Sequence, residues 1–157
     1  MTSTPSIIIL TCLFSWNLNS QRVALKNLPL NLSQAFQLKY PEVKKVSWEK
    51  ENSTEYEAEF VQNSKETSVL FDASGRWLSS ETALKPQELP NNVKEAINKQ
   101  FMGYKIEEAC LKNDPTQGEH YEVELEKGKT EYKVTFKLDG MMINSKEDGD
   151  DDNDSDD

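Results

Sequence analysis

The chain contains few side chains that could perform acid–base, nucleophilic or metal chemistry. Its one histidine is His120, and no Gly-x-Ser-x-Gly segment offers a serine nucleophile for it to activate. As a lone polar residue beside a loop, His120 is predicted to be structural or solvent-facing. Zinc sites use several histidine or cysteine ligands, and beyond the amino-terminal segment only Cys110 accompanies His120. The sequence therefore predicts no catalytic residue, no metal site and no cofactor.

Two pairs of alternating glutamates suggest the carboxylates of a glycosidase. They are Glu57 with Glu59 and Glu122 with Glu124. A catalytic pair needs unequal surroundings that separate its two pKa values, whereas a repeated exposed ladder gives equal ones. The pairs are therefore predicted to line a solvated strand face. We expect a protein that is not an enzyme, with an uncharacterised hydrolase as the most distant alternative.

Most of the negative charge lies at the carboxyl terminus. The formal charge is −10, and the eight acidic side chains of residues 147–157 account for all but two of these charges. The net negative charge argues against nucleic acid as a partner, because it would repel the phosphates. The segment contains no apolar residue, so residues 147–157 are predicted to form a disordered acidic tail. Its carboxylate oxygens are ligands that Ca²⁺ prefers, but they do not have the spacing of an EF-hand loop. The tail is therefore predicted to associate with calcium only weakly, through its charge.

Residues 1–20 have the composition of an export signal. They carry no charged side chain and contain a dense apolar run at 7–14, too short for a membrane span. We interpret 1–20 as a signal peptide, which predicts a periplasmic or secreted protein with no stable membrane span. Two alternatives are a buried β-strand formed by the same run and a lipoprotein anchor at Cys12.

The rest of the chain contains an internal repeat. Leu28-Pro29 and Leu89-Pro90 each begin a similar segment, 61 residues apart. Further on, Tyr-Glu-Ala-Glu-Phe at 56–60 matches Tyr-Glu-Val-Glu-Leu at 121–125. The alignment needs only two small insertions, both in connections, as expected for two copies of one fold.

Each repeat is predicted to begin with a helix. Asn31 and Asn92 are suitable N-cap residues, and Gln34 and Glu95 follow three residues later, where a capping box places its partner. The apolar residues that follow recur at helical spacing. Pro41 ends the first helix in this interpretation, and a glycine ends the second.

After each helix the apolar period changes to two, as in Tyr56, Ala58 and Phe60. Such alternation predicts antiparallel strands with one packed face and one wet face. The predicted class is α+β: two tandem helix-plus-four-strand repeats, about 28–84 and 89–145, within a domain at 21–146. We expect them to share a core and to form one curved antiparallel sheet with both helices packed on one face.

Trp77 is the candidate partner-binding residue. If the turn before it is a three-residue loop, Phe71 faces Trp77 and both belong to the core. If it is a two-residue turn, Phe71 faces Leu78 and Trp77 lies on the wet face. The core register is the favoured prediction, and an exposed Trp77 would be an anchor for a protein contact.

The repeated Leu-Pro helix starts, the paired Tyr-Glu strands and the turns at Gly75 and Gly140 resemble those of the PepSY-like family. The fold of that family resembles the β-lactamase-inhibitor protein. The resemblance covers residues 28–145 and implies an exported, commonly periplasmic bacterial protein that binds or inhibits a protein or peptide without catalysis. A rival hypothesis is an acidic extracellular protein whose tail gathers calcium.

Overall fold

A computed structural model describes residues 21–148 of the chain. The predicted signal segment, Cys12 and most of the predicted tail lie outside the described residues. A short 3₁₀ turn precedes each helix, at Leu25–Asn27 and Pro86–Glu88. The helices and strands follow in the order β1 (Gln21–Arg22), α1 (Leu30–Lys39), β2 (Ser47–Lys50), β3 (Glu55–Gln62), β4 (Lys65–Asp72), β5 (Trp77–Leu84), α2 (Asn91–Gln100), β6 (Lys105–Asp114), β7 (Gly118–Lys127), β8 (Thr130–Lys137) and β9 (Met142–Asp148).

The strands form one antiparallel sheet in which neighbours in sequence are neighbours in space. Within residues 21–148 the order runs from β1 to β9 without a crossover. The first repeat contributes α1 with β2 to β5 and the second α2 with β6 to β9, while β1 adds a short edge to β2. The predicted α+β class and its two helix-plus-four-strand repeats are therefore confirmed.

The last strand extends further than the sequence predicted. β9 includes Glu147 and Asp148, which the prediction assigned to the disordered tail. Glu147 pairs in register with Tyr132 of β8, and the Tyr132 hydroxyl donates a 2.7 Å hydrogen bond to the Glu147 carboxylate. This pairing corrects the predicted start of the tail at residue 147, since backbone pairing with β8 outweighs the polar character of these residues.

The apolar core consists of two clusters, one for each repeat. The expectation of a single shared core is wrong. A sheet of nine strands, spaced about 4.8 Å apart, is too wide for two ten-residue helices to cover with one continuous core. In the first cluster α1 packs on β2, β3 and β4, and in the second α2 packs on β6, β7 and β8. The buried residues are Leu28, Leu32, Phe36, Trp48, Ala58, Phe60, Val69 and Phe71 in the first cluster, and Leu84, Leu89, Val93, Ile97, Ala109, Val123, Leu125, Val134 and Phe136 in the second.

The helix starts differ from the predicted capping boxes. Pro29 and Pro90 occupy the N-cap positions, without a side-chain capping bond, and the helices begin one residue later. The two asparagines instead reach a hairpin turn of their own repeat. Asn31 Nδ2 donates to the Ala73 carbonyl at 2.9 Å, and Asn92 Nδ2 donates to the Leu138 carbonyl at 3.0 Å. Each helix is thereby fixed to the turn that joins the last two strands of its repeat.

Candidate functional site

Both helices pack on the same face of the sheet. Residues directly opposite each other on paired strands lie on the same face of the sheet. Strand β5 pairs with β4 of the first repeat and with β6 of the second, so it relates the faces of the two repeats. Val69 of the first cluster pairs with Ser80, while Leu84 of the second pairs with Ala109. Ser80 and Leu84 lie four residues apart on β5 and therefore point to the same side. The other side, which we call the open face, has neither α-helix packed on it.

The open face has small side chains at its centre and acidic ones toward β1. Small residues lie on the central strands at Ser68 of β4 and at Ser79 and Ala83 of β5. Acidic residues dominate β2 and β3, where Glu49 pairs directly with Glu57. Beyond β5 the open face mixes acidic and basic residues. On this face the acidic residues of β2 and β3 are Glu49, Glu55, Glu57 and Glu59, with Glu51 directly after β2, and those of β4 and β5 are Glu66, Asp72 and Glu81.

Glu57 departs most clearly from the predicted solvated ladder. Its side chain is only 4% exposed, although it lies on the open face. Burial raises the pKa of Glu57 to about 8, and the nearby carboxylates of Glu51 and Glu59 add to the rise. A hydrogen bond with Ser68 opposes it. The predicted solvated environment is therefore wrong for Glu57, because the sequence pattern gives its face but not how closely its neighbours pack.

The corresponding glutamate of the second repeat, Glu122, lies in a different environment. Lys112 Nζ on the adjacent strand is 2.8 Å from Glu81 Oε1 and 3.4 Å from Glu122 Oε2. Burial alone lowers the pKa of Lys112, but the two carboxylates outweigh it and the net shift is upward. Burial also raises the pKa of Glu81, against the opposing effect of Lys112. The two repeats thus present unequal carboxylates, contrary to the predicted equal ladder.

His120 lies within β7 and not in a loop. The residue is 1% exposed, so the predicted solvent-facing position is wrong and the structural position is the alternative that remains. Its Nδ1 is 2.9 Å from the Gly118 carbonyl, which only accepts hydrogen bonds, so Nδ1 carries the proton. Its Nε2 lies 3.5 Å from Glu122 Oε1 and has no hydrogen-bond partner within residues 21–148.

Cys110 is the fully buried thiol of β6, and it lies directly opposite Glu122 on β7. The Cys110 sulfur and one carboxylate oxygen each from Glu81 and Glu122 lie within 4.8 Å of one another. Its complete burial on a strand is typical of an unreactive cysteine. Its proximity to two carboxylates was missed, because it depends on the register of three strands.

Trp77 adopts the favoured core register. It pairs with Phe71 across a bulge between Leu70 and Phe71, and it packs half-buried against the first cluster. Lys39 of α1 places its ammonium 4.5 Å from the centre of the indole ring. The indole N–H is buried and lacks a hydrogen-bond partner among the described residues. Trp77 therefore lies on the helix side, and its role in partner binding stays a prediction.

Family comparison assigns the chain to a class. The family model described as "Putative beta-lactamase-inhibitor-like, PepSY-like" matches residues 15–66 and 54–144. The chain belongs to this PepSY-like family, which confirms the resemblance inferred from its repeated motifs. No curated protein matches the sequence.

Solved structures share the fold. A BLIP-like protein from Bacteroides fragilis is 23% identical with a TM-score of 0.71, and the match covers 80% of this chain and 89% of that protein. A DUF2874 family protein from Bacteroides uniformis is 24% identical with a TM-score of 0.70, covering 76% and 88%. A protein from Bacteroides eggerthii, described as one of the "putative periplasmic proteins", is 20% identical with a TM-score of 0.68, covering 76% and 88%. At these identities the likeness establishes the fold alone.

Neither helix within residues 21–148 has the length and apolar character needed to cross a bilayer.

Proposed function

We propose that this protein is an exported, non-enzymatic binding module that holds a protein or peptide partner on its open face. The observation that carries the proposal is the placement of both helices on the opposite face. A nine-stranded sheet is left without an α-helix on one side, and the small side chains of Ser68, Ser79 and Ala83 let a partner approach its centre closely. The family's inhibitor-like description supports the same kind of function.

The glutamates on the first half of the open face indicate which side chains a partner would place against it. Burial raises the pKa values of Glu51, Glu57 and Glu59, each reinforced by a neighbouring glutamate. Arg22 contacts Glu49 at 3.5 Å but is 85% exposed, so it neutralises this group weakly. A partner that places lysine or arginine side chains here would gain charge-assisted hydrogen bonds. The proposed ligand is therefore a protein or peptide with a basic contact segment.

Export is the second part of the proposal. It is supported by the uncharged apolar composition of residues 1–20 and by the periplasmic description of a structural relative. Anchoring through Cys12 remains the alternative, and calcium association with the acidic tail remains a prediction.

The test uses the tagged full-length chain in its source organism. The processed protein should appear in the periplasmic fraction and should co-purify with a partner in defined stoichiometry. Replacing Ser79 with arginine places a bulky cation at the centre of the open face and should abolish recovery of that partner. Leu38→Arg is the matched control, since Leu38 is 85% exposed on α1 and should tolerate the change.

Equal recovery with both variants would contradict the proposal, as would a processed chain confined to the cytoplasm. Each variant is first compared with the natural chain by urea unfolding, so that loss of the partner is not confused with loss of the fold.

A further inference from the structure

We propose that Glu81, Cys110, His120 and Glu122 form a binding site for a divalent transition metal of the Zn²⁺ class on the second half of the open face. The four residues come from three adjacent strands, β5, β6 and β7. This inference stands apart from the proposed partner binding, because it is measured on the protein alone.

The ligand atoms are already close to the spacing of a zinc site. Zn²⁺ binds thiolate at about 2.3 Å and carboxylate or imidazole at about 2.0–2.2 Å, so tetrahedral ligands lie roughly 3.3–3.8 Å apart. The Cys110 sulfur and the carboxylates of Glu81 and Glu122 lie within 4.8 Å of one another. His120 is not one of these three groups, and it approaches them through Glu122, whose Oε1 lies 3.5 Å from His120 Nε2. Metal binding therefore requires the four side chains to draw together.

The histidine supplies an independent observation that points to a ligand. His120 is 1% exposed and its Nε2 has no hydrogen-bond partner among residues 21–148. Nδ1 lies 2.9 Å from the Gly118 carbonyl, so Nε2 is the ring nitrogen that faces Glu122 Oε1, 3.5 Å away. A metal ion placed between them would take the ring nitrogen and the carboxylate oxygen as two of its ligands. A histidine that ligates a metal commonly donates its other N–H to a backbone carbonyl.

A second buried atom of these four residues also lacks a hydrogen-bond partner. Glu81 Oε2 is buried without a hydrogen-bond partner in the described part of the chain, while its other oxygen contacts Lys112. Histidine and cysteine alone are too few for a zinc site in this chain, but carboxylates are also zinc ligands, and the strand register brings Glu81 and Glu122 to Cys110.

The ammonium group of Lys112 competes with a metal ion for the carboxylates of this site. Its ammonium contacts both Glu81 and Glu122 and neutralises part of their charge. The Lys112 side chain is 25% exposed, which gives it room to turn toward solvent when a metal enters. Binding forms a sulfur–metal bond, and the Cys110 thiol proton leaves to solvent. Metal affinity should therefore rise when Lys112 loses its charge and fall when the pH is lowered.

The test is titration of the full chain, carrying Cys12→Ser, with Co²⁺ followed by displacement with Zn²⁺. Co²⁺ bound through Cys110 should give a sulfur-to-metal charge-transfer band, which the sulfur-free acidic tail cannot produce. Lys112→Met should tighten binding about tenfold, since an ammonium in direct contact with two carboxylates is removed. Cys110→Ser should remove the band, and Glu122→Gln should weaken binding by about 100-fold.

Glu124→Gln is the matched control, because Glu124 lies two residues along β7 on the same face and outside the cluster. Far-UV circular dichroism confirms that each variant is folded. The proposal is overturned if neither the natural site nor Lys112→Met gives the charge-transfer band. It is also overturned if Glu124→Gln weakens binding as much as Glu122→Gln.

Discussion

The carboxyl group of Glu57 has surroundings that disfavour its charge. Burial and neighbouring carboxylates raise its pKa from 4.5 to about 8. The folded protein therefore holds a proton that the unfolded chain releases above pH 4.5. Folding stability conferred by this group is fully present below pH 4.5 and is lost as the pH rises through about 8.

Glu57→Gln should flatten this pH dependence. We expect the natural protein to lose about 2–4 kcal/mol of unfolding free energy between pH 5 and pH 8 from this group, and the variant to lose correspondingly less. Urea unfolding at both pH values measures the difference. Glu95→Gln, an exposed change on α2, should leave the profile as it was. Parallel profiles for the natural protein and Glu57→Gln would contradict the assignment.

Residue types were predictable from the sequence, but their burial was not. Alternation correctly placed Glu57 and Glu122 on the face opposite the core. It could not predict that Glu57 is 4% exposed or that Lys112 lies between Glu81 and Glu122. These features arise from side chains on three or more strands, so local periodicity carries no information about them.

At the level of elements, each helix is held against a hairpin turn through an asparagine and a glycine. A Cβ on Gly140 would lie 2.9 Å from the Asn92 carbonyl oxygen, and one on Gly75 would lie 3.2 Å from the Asn31 carbonyl oxygen. Both glycines also have positive φ, at +85° and +87°. The helix and the turn can approach this closely only because a side chain is absent.

Alanine at these two positions should therefore destabilise the protein unequally. Gly140→Ala should lower the unfolding free energy by about 2–4 kcal/mol through backbone strain and a clash with backbone, and Gly75→Ala by a smaller amount. Gly128→Ala is the control, because Gly128 has φ +69° but no atom within 4 Å of an added Cβ. It should lose only about 1 kcal/mol. Thermal or urea unfolding gives the order, and a Gly128 variant as unstable as Gly140→Ala would refute the close-approach argument.

The sequence predicted that both helices exist, but it did not predict how their amino-terminal ends are capped. The 3.6-residue pattern identified both helices, and both end near the predicted residues. Asn31 and Asn92 have the residue type of an N-cap, yet their acceptors are carbonyls 42 and 46 residues away in sequence. A rule based on neighbouring residues cannot identify a partner at that distance.

For the whole molecule, duplication explains both the width of the sheet and its asymmetry. Two copies in tandem place both helices on one side, because each repeat packs its helix on the same face and β5 pairs directly with β6. Sequence self-similarity was enough to predict this architecture. The two separate core clusters follow from the width of the sheet. The divergent open faces were not predictable, because the two repeats differ there in side chains that leave the backbone pattern unchanged.

The central claim is that the open face contacts a partner, and site-specific photo-crosslinking in the source organism tests it most directly. A photoreactive residue at Ser79 reports on the open face, and one at Leu38 reports on the outer side of α1. We predict a discrete covalent adduct from position 79 that disappears when Ala83→Arg is added, and no adduct from position 38. An adduct from position 38 with none from position 79 would contradict the account.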